Sequence, residues 1–320
     1  MRLRTKLMAG LAAAAMVLGG AAVAQKTQFI SVLTGGQSGV YYPLGVALAQ
    51  ILGESVEGAR ATAQVTKASA ENMNLLEAGR GELAFALGDT VLDAWNGREE
   101  AGFKQPLKNL RGFSATYNNV IQIVASADSG IKTLADLKGK RVSVGAAKSG
   151  TELNARAVFG AAGVTYDDLG RVEYLPFGES VELIKNRQLD ATFQSAGLGV
   201  ASIRDLASSV KIAIVPVPED VIAKIDSPVY LPTTIPAGTY TGQDEDVPTV
   251  AIPNFLVTQS EVSDDLAYAM VKGMYEHIDT LHSTHNAAKD MDVKHATDGM
   301  PIPLHPGVER YYREVGVLDD

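Results

Sequence analysis

The sequence predicts an α/β fold of two lobes, each a mostly parallel sheet flanked by helices. Three observations predict it. Strand-like runs alternate with amphipathic helical runs as far as Val215. One run, Leu110 to Ala127, is too long for an ordinary strand and reads as a crossing from one lobe to the next. The alternation then restarts.

The chain opens on Arg2, Arg4 and Lys6, an apolar run from Leu7 to Leu18, and the small residues Ala22-Val23-Ala24 before Gln25. This is the three-part pattern of a secretory signal peptide over residues 1–24, and its apolar run falls short of the about 20 residues that span a bilayer. Its removal shifts the formal charge from −9 to −12. An acidic chain with scattered Lys and Arg is a poor partner for nucleic acid or anionic membrane. The chain has no cysteine, which excludes disulfides, thiolate metal sites, a Cys nucleophile and lipidation at an N-terminal Cys. An exported, unlipidated, monomeric protein of a periplasm is expected. The remaining 296 residues suffice for two domains.

Residues 28 to 34 are strand-like, Gly35 to Gly39 form a glycine-rich loop, and Val40, Leu44, Ala47, Leu48, Ile51 and Leu52 mark one helix face. A strand at 61–66, a helix at 70–79, a strand at 82–87 and a short helix at 89–96 follow. Past the crossing run come a strand at 141–144, a turn at 148–151, a helix from Glu152 to Ala161, a strand at 172–175, a helix at 179–187, a strand at 190–194, a helix at 201–208 and a strand at 211–215. A faint repeat at an offset of 108 residues sets Glu71, Leu75, Leu76, Glu82 and Phe85 against Glu179, Leu183, Ile184, Asp190 and Phe193; it stands against chance similarity between βαβ units. The Pro-punctuated segment after Val215 reads as a return to the first lobe through irregular strands. A helix from Asp264 to Leu281, a loop, and a terminal helix starting near Pro306 complete the chain. The expected lobes are 25–115 with 225–320, and 116–224.

Two glycine-serine turns, Gly35 to Gly39 and Lys148 to Thr151, each join a strand to a helix start. A helix start leaves unpaired N–H groups and partial positive charge, so it binds anions without a cationic side chain. The plain alternative for Ser149 is a helix cap with Glu152 as capping-box partner. Open α/β sheets bind ligands at this edge of the sheet. Tyr41 and Tyr42 follow the first turn; Asn72 sits at a helix start, and Gln194 and Ser195 at a strand end. Catalytic motifs are weak. Ser129 and Lys132 fit S-x-x-K without the K-T-G that accompanies it, and no G-x-S-x-G or P-loop occurs. His277, His282, His285, His295 and His305 lack metal-motif spacing, so neither metal nor cofactor is expected.

At these residues the sequence resembles the TAXI family, the solute-binding components of tripartite ATP-independent periplasmic (TRAP) transporters. The resemblance runs through Thr34-Gly35-Gly36-Gln37-Ser38-Gly39-Val40-Tyr41-Tyr42-Pro43-Leu44-Gly45, the segment Asn72 to Phe85, Leu137 to Gly145 with Ser149-Gly150-Thr151-Glu152, Asp190 to Gly197, Tyr230-Leu231-Pro232, Ile235 to Tyr240 and His305-Pro306-Gly307. It implies a hinged periplasmic-binding-protein type II fold that captures a small organic acid or amino acid (glutamate, 2-oxoglutarate or another carboxylate) and docks on TRAP permease subunits. The alternatives are an exported enzyme on the same scaffold and a sensor that presents its ligand to a receptor. The resemblance carries ligand-binding roles onto Gly36, Ser38, Gly39, Val40, Tyr41 and Tyr42; onto Asn72; onto Lys148, Ser149, Gly150 and Thr151; and onto Gln194, Ser195, Ala196 and Gly197. Gly88 joins them, although this chain has Leu87-Gly88-Asp89 where relatives often have a Gln-containing turn. Lys148 stands where relatives commonly have Gly, placed to pair a second carboxylate or to face solvent.

Overall fold

The computed structural model describes residues 27–225 and 227–319; the signal-peptide expectation lies outside them. The first half runs β1 (Gln28–Leu33), α1 (Tyr41–Ser55), β2 (Ala59–Gln64), α2 (Ser69–Glu77), β3 (Leu83–Leu87), α3 (Gly88–Asn96) and β4 (Leu110–Ser126). Then come β5 (Arg141–Ser143), α4 (Gly150–Ala161), β6 (Arg171–Glu173), α5 (Phe177–Lys185), β7 (Ala191–Ala196), α6 (Ala201–Ser209), β8 (Ile212–Val215) and α7 (Glu219–Ile222). The chain closes with β9 (Leu231–Ile235), β10 (Val247–Gln259), α8 (Asp264–Glu276), α9 (Ile278–Thr284) and α10 (Pro306–Glu314).

Hydrogen bonds join the described strands into one curled sheet in the order β2-β1-β3-β10-β4-β7-β5-β6, with β8 also on β4 and β9 on β10. The outer trios β2-β1-β3 and β6-β5-β7 are parallel within themselves. The two long central strands run antiparallel to their neighbours and bind the halves together. β4 pairs with β10 up to Val120 and with β7 and β8 from Val120 onward. The run Leu110 to Ala127 therefore changes partners within one strand, at Val120.

Core packing follows the sequence periodicity. Leu44, Leu48 and Leu52 of α1 meet Met270, Val271 and Met274 of α8 against Ile30 and Val32 of β1. Met73, Leu76, Val91 and Phe103 cover the opposite face of the same strands with Leu33, Ala84 and Ala86. In the other half Val158 and Phe159 of α4, with Ile222, pack on Val142 and Phe193. Helices on both faces explain why β3 is buried along its whole length and reads as a continuous apolar run.

The offset of 108 is structural. Shifting α2 by it gives the bounds of α5, and shifting β3 gives β7 less its last residue. The two acids do the same work. Glu82 Oε2 accepts from the Ser31 N–H of β1 (2.6 Å), and Asp190 Oδ2 from the Arg141 N–H of β5 (2.8 Å). Each acid's own N–H returns a bond to that same residue's carbonyl.

Two expectations change. The Pro-rich return contains a regular 13-residue strand, β10. Proline cannot donate to a ladder; at Pro253 the pairing with β4 shifts register in a bulge between Pro253 and Phe255, which absorbs the missing donor. The helix expected from Asp264 to Leu281 is two, broken at His277, whose backbone leaves the helical region (φ −120°, ψ 25°). The loop after it holds two short helical turns, Asn286–Asp290 and Val293–His295.

Candidate functional site

Where the halves face each other, the strand-to-helix turns enclose a cleft of about 650 Å³. Four helices each place two residues of their start on its wall, namely α1, α2, α4 and α5, and α3 adds only Leu87, just ahead of its first residue. Val40 and Tyr41, Ala68 and Ser69, Ser149 and Thr151, and Pro176 and Phe177 are their contributions. The first residues of α1, α2 and α5 have no side-chain cap on the helix; the leading N–H groups of α1 and α5 stay open, while in α2 the Ala68 N–H donates to Thr66 Oγ1 (3.0 Å) and the Glu71 N–H to the Lys148 carbonyl. Only α4 is capped, by Ser149 Oγ accepting from the Glu152 N–H (3.1 Å). Glu152 completes no capping box; its carboxylate takes Arg156 Nε (2.6 Å) and the Tyr166 hydroxyl (3.1 Å).

The floor lies on the crossing strands. The Tyr41 hydroxyl donates to Asn254 Oδ1. Asn254 Nδ2 donates to Asn119 Oδ1 (2.8 Å), and Asn119 Nδ2 donates to the Ser195 carbonyl (2.8 Å). This chain of amides ties both halves to one polar surface. Beside it, the buried Tyr117 hydroxyl and Ser195 Oγ have no partner among the described residues, although buried polar groups are nearly always paired. Burial pushes the Tyr117 phenol well above its usual range, so it stays a neutral donor. Among the described residues no carboxylate lines the cleft, and Lys67 is the one cationic residue that does. Next to it Ala68 holds φ 69° and ψ −153°, a region otherwise left to glycine and costing about 1–3 kcal/mol.

Of the residues singled out in the sequence, Gly36, Gly39, Val40, Tyr41, Ser149, Thr151, Ser195 and Ala196 line the cleft. The others do not. Ser38 lies in an outer groove, with its carbonyl accepting from the Ser202 N–H across the halves (3.3 Å). Tyr42 is half-buried away from the cleft lining. Asn72 is fully buried: Nδ2 donates to the Thr34 and Phe85 carbonyls (2.8 and 2.9 Å) and Oδ1 accepts from Thr66 Oγ1 (2.7 Å). Gly88 packs on the Phe255 ring and Gly197 on Ala287. Gln194 Oε1 accepts from Ser202 Oγ (2.7 Å). Gly150 sits where the halves touch, against Leu87 and Ser69. Lys148 is exposed with φ 66°, and its carbonyl accepts from the Glu71 N–H across the halves (3.2 Å).

Sequence reading missed Lys67, Tyr117, Asn119 and the starts of α2 and α5. The rule that ligands sit at the carboxyl ends of parallel strands applies to β2 and β6 as much as to β1 and β5, and it points to both missed helix starts. Ser129 and Lys132, the enzyme candidates, are elsewhere. Ser129 Oγ donates to the Ser126 carbonyl (2.7 Å) and accepts from the Ile131 N–H in a surface turn. His305 caps α10 through Nδ1 and reaches the Val262 carbonyl through Nε2 (2.9 Å), and burial pushes its pKa down. Among the described residues no three metal-ligating side chains cluster, and no helix is long and apolar enough to cross a membrane.

The fold is that of a periplasmic transporter of known structure, with a TM-score of 0.54, 15% identity, and 92% of this chain and 94% of that chain covered. The alkanesulfonate-binding protein SsuA from Xanthomonas axonopodis pv. citri, bound to MOPS, is similar at TM-score 0.45 and 16% identity over 89% of this chain and 83% of that one. An ancestral arginine-binding protein bound to arginine gives TM-score 0.48 and 15% identity over 81% and 97%. The NMT1-like family matches residues 32–316. The chain belongs to the NMT1-like family.

Proposed function

We propose that this chain is an exported periplasmic solute-binding protein that captures a small organic acid or amino acid between two hinged lobes and hands it to TRAP permease subunits. The lobes are 25–115 with 225–320, and 116–224; the protein acts as a monomer, without cofactor or catalysis. The observation that carries the reading is electrostatic. Four helix starts and one lysine face a cleft that no carboxylate lines, and a helix start stabilises an anion by about 0.3–1 kcal/mol, up to about 2 in a partly buried site. The carboxylate class and the permease rest on the TAXI resemblance. Closing is favoured only by the ligand's preference for the closed state.

Calorimetry with a panel of monocarboxylates, dicarboxylates, acidic and basic amino acids and an alkanesulfonate tests this, with native mass spectrometry for a co-purified molecule. Saturable binding of an acid and none of basic amino acids is expected. Binding of cations only, or turnover of the bound acid, would refute it.

The unpaired hydroxyls make a separate prediction. Tyr117→Phe and Ser195→Ala remove groups without protein partners, so thermal stability holds or rises slightly. Each lost bond to an anion weakens affinity by about 1.5–3 kcal/mol, roughly 10- to 150-fold. Equal affinity with lowered stability would assign both groups to the fold instead.

A further inference from the structure

Asp89 is a carboxylate outside the cleft lining that ties the two halves together. It lies in the first turn of α3. Its Oδ1 accepts from the N–H (2.6 Å) and hydroxyl (3.3 Å) of Thr90 on the same helix. Its Oδ2 crosses to the other half by accepting from Asn154 Nδ2 on α4 (2.6 Å), and it also accepts from the Tyr230 hydroxyl, ahead of β9 on its own half (2.8 Å). Asn154 Nδ2 also lies 2.9 Å from the Tyr230 oxygen, and Asn154 Oδ1 has no partner among the described residues. Both partners are buried. Among the described residues Asp89 forms no ion pair; its charged neighbour, Asp93 one turn on, pairs with Arg98 instead (3.0 Å).

We propose that Asp89, Asn154 and Tyr230 form a latch, and that Asp89 is a positioning residue for capture: it touches no ligand, and its bond to Asn154 on the opposite half exists only when the cleft is shut. The latch rests on the closing reading above. Backbone contacts cross the cleft at Glu71–Lys148 and at Ser202–Ser38, so the described arrangement is the shut one. Opening separates α3 from α4 and returns the carboxylate to water.

A proton dependence follows. Desolvation pushes the Asp89 carboxyl above its ordinary value in the shut state, against the pull of its hydrogen-bond donors. A group raised in one state favours that state when protonated. The advantage to closing is complete below the ordinary value of about 3.9 and is lost as pH rises through the shut-state value. The groups that face Asp89 are Tyr230, itself pushed up by burial and by the carboxylate, Tyr41 on the same half, and Asp93, pushed up to about 6 by partial burial against the pull of Arg98.

Because the chain lacks cysteine, Glu57→Cys and Asp167→Cys place one spin label on each half, both at exposed positions. Pulsed electron resonance on the protein without added ligand reads the population at short separation. That population is expected to grow from about pH 8 to about pH 5, by no more than about tenfold per unit for one proton. Asp89→Asn makes it independent of pH, and Asp93→Asn leaves the dependence in place. Asn154→Ala strips the cross-half donor from the ionised carboxylate, so the short population falls several-fold at the alkaline end. A pH dependence that survives Asp89→Asn, or distances unmoved by Asn154→Ala, would overturn the latch. Gly150→Val separates the two ideas. If it alone lengthens the distance, the closing reading stands without the latch; if nothing does, both fall.

Discussion

Replacing Gly150 with valine is expected to weaken ligand capture by roughly 5- to 150-fold while leaving the melting temperature nearly unchanged. Gly150 begins α4, and a Cβ there would stand 2.5 Å from Leu87 Cδ1, 2.7 Å from Ser69 Oγ and 2.9 Å from Ser69 Cβ. The serine is the first residue of α2, on the opposite half, so its Cβ cannot swing aside as a chain end can. Valine therefore forces the halves apart by a fraction of an ångström to an ångström. Overpacking of this kind costs about 1–3 kcal/mol, which converts to that range of affinity. The cost falls only on the closed state, because each half keeps its own packing when the cleft opens. Calorimetry with the best-bound acid of the panel, paired with a thermal melt, separates the outcomes. Undiminished affinity would show that closing does not bring Gly150 against α2. A large drop in melting temperature would make the contact part of the fold.

The same glycine shows what the sequence makes legible. The turn from Ser149 to Thr151 stands out through residue type alone, because glycine and serine before a helix have few other uses. That places the residue at the sheet edge but not against its opposite half. The contact with Ser69 joins residues eighty-one positions apart, and no local pattern encodes it. The 108-residue repeat carries more: five weak matches mark two units whose bounds coincide and whose acids bond the neighbouring strand alike. Periodicity locates the helices because burial on one face imposes it. It fails for β10, whose prolines read as breakers until a bulge and a flanking strand account for them. Tyr117 and Asn119 escaped notice for a related reason. They sit midway along the crossing strand, where residues facing the cleft look locally like residues facing a core.

Asn72 lies behind the cleft lining, and its replacement by leucine is expected to cost stability rather than affinity. A polar residue at the start of a helix near a binding edge suggests a ligand contact. In the fold its amide is spent: Nδ2 holds the ends of β1 and β3 through the Thr34 and Phe85 carbonyls, and Oδ1 fixes Thr66, whose hydroxyl also reaches the Thr34 carbonyl (2.9 Å). Leucine fills the same space, strands the Phe85 carbonyl, and leaves the Thr66 hydroxyl and the Thr34 carbonyl with each other only. A stranded polar group costs about 1–3 kcal/mol and each further lost hydrogen bond about 0.5–1.5, so the loss should reach about 2–4 kcal/mol, toward the upper end for single substitutions. At about 2–4 °C per kcal/mol for a large domain, the melting temperature falls by roughly 10 °C. The folded fraction should still bind its acid, weakened only as far as Thr66 and Ala68 shift at the cleft wall. Chemical denaturation and calorimetry on the same preparation give both numbers. Lost affinity at unchanged stability would return Asn72 to the ligand and would mean that the carbonyls of β1 and β3 find other donors.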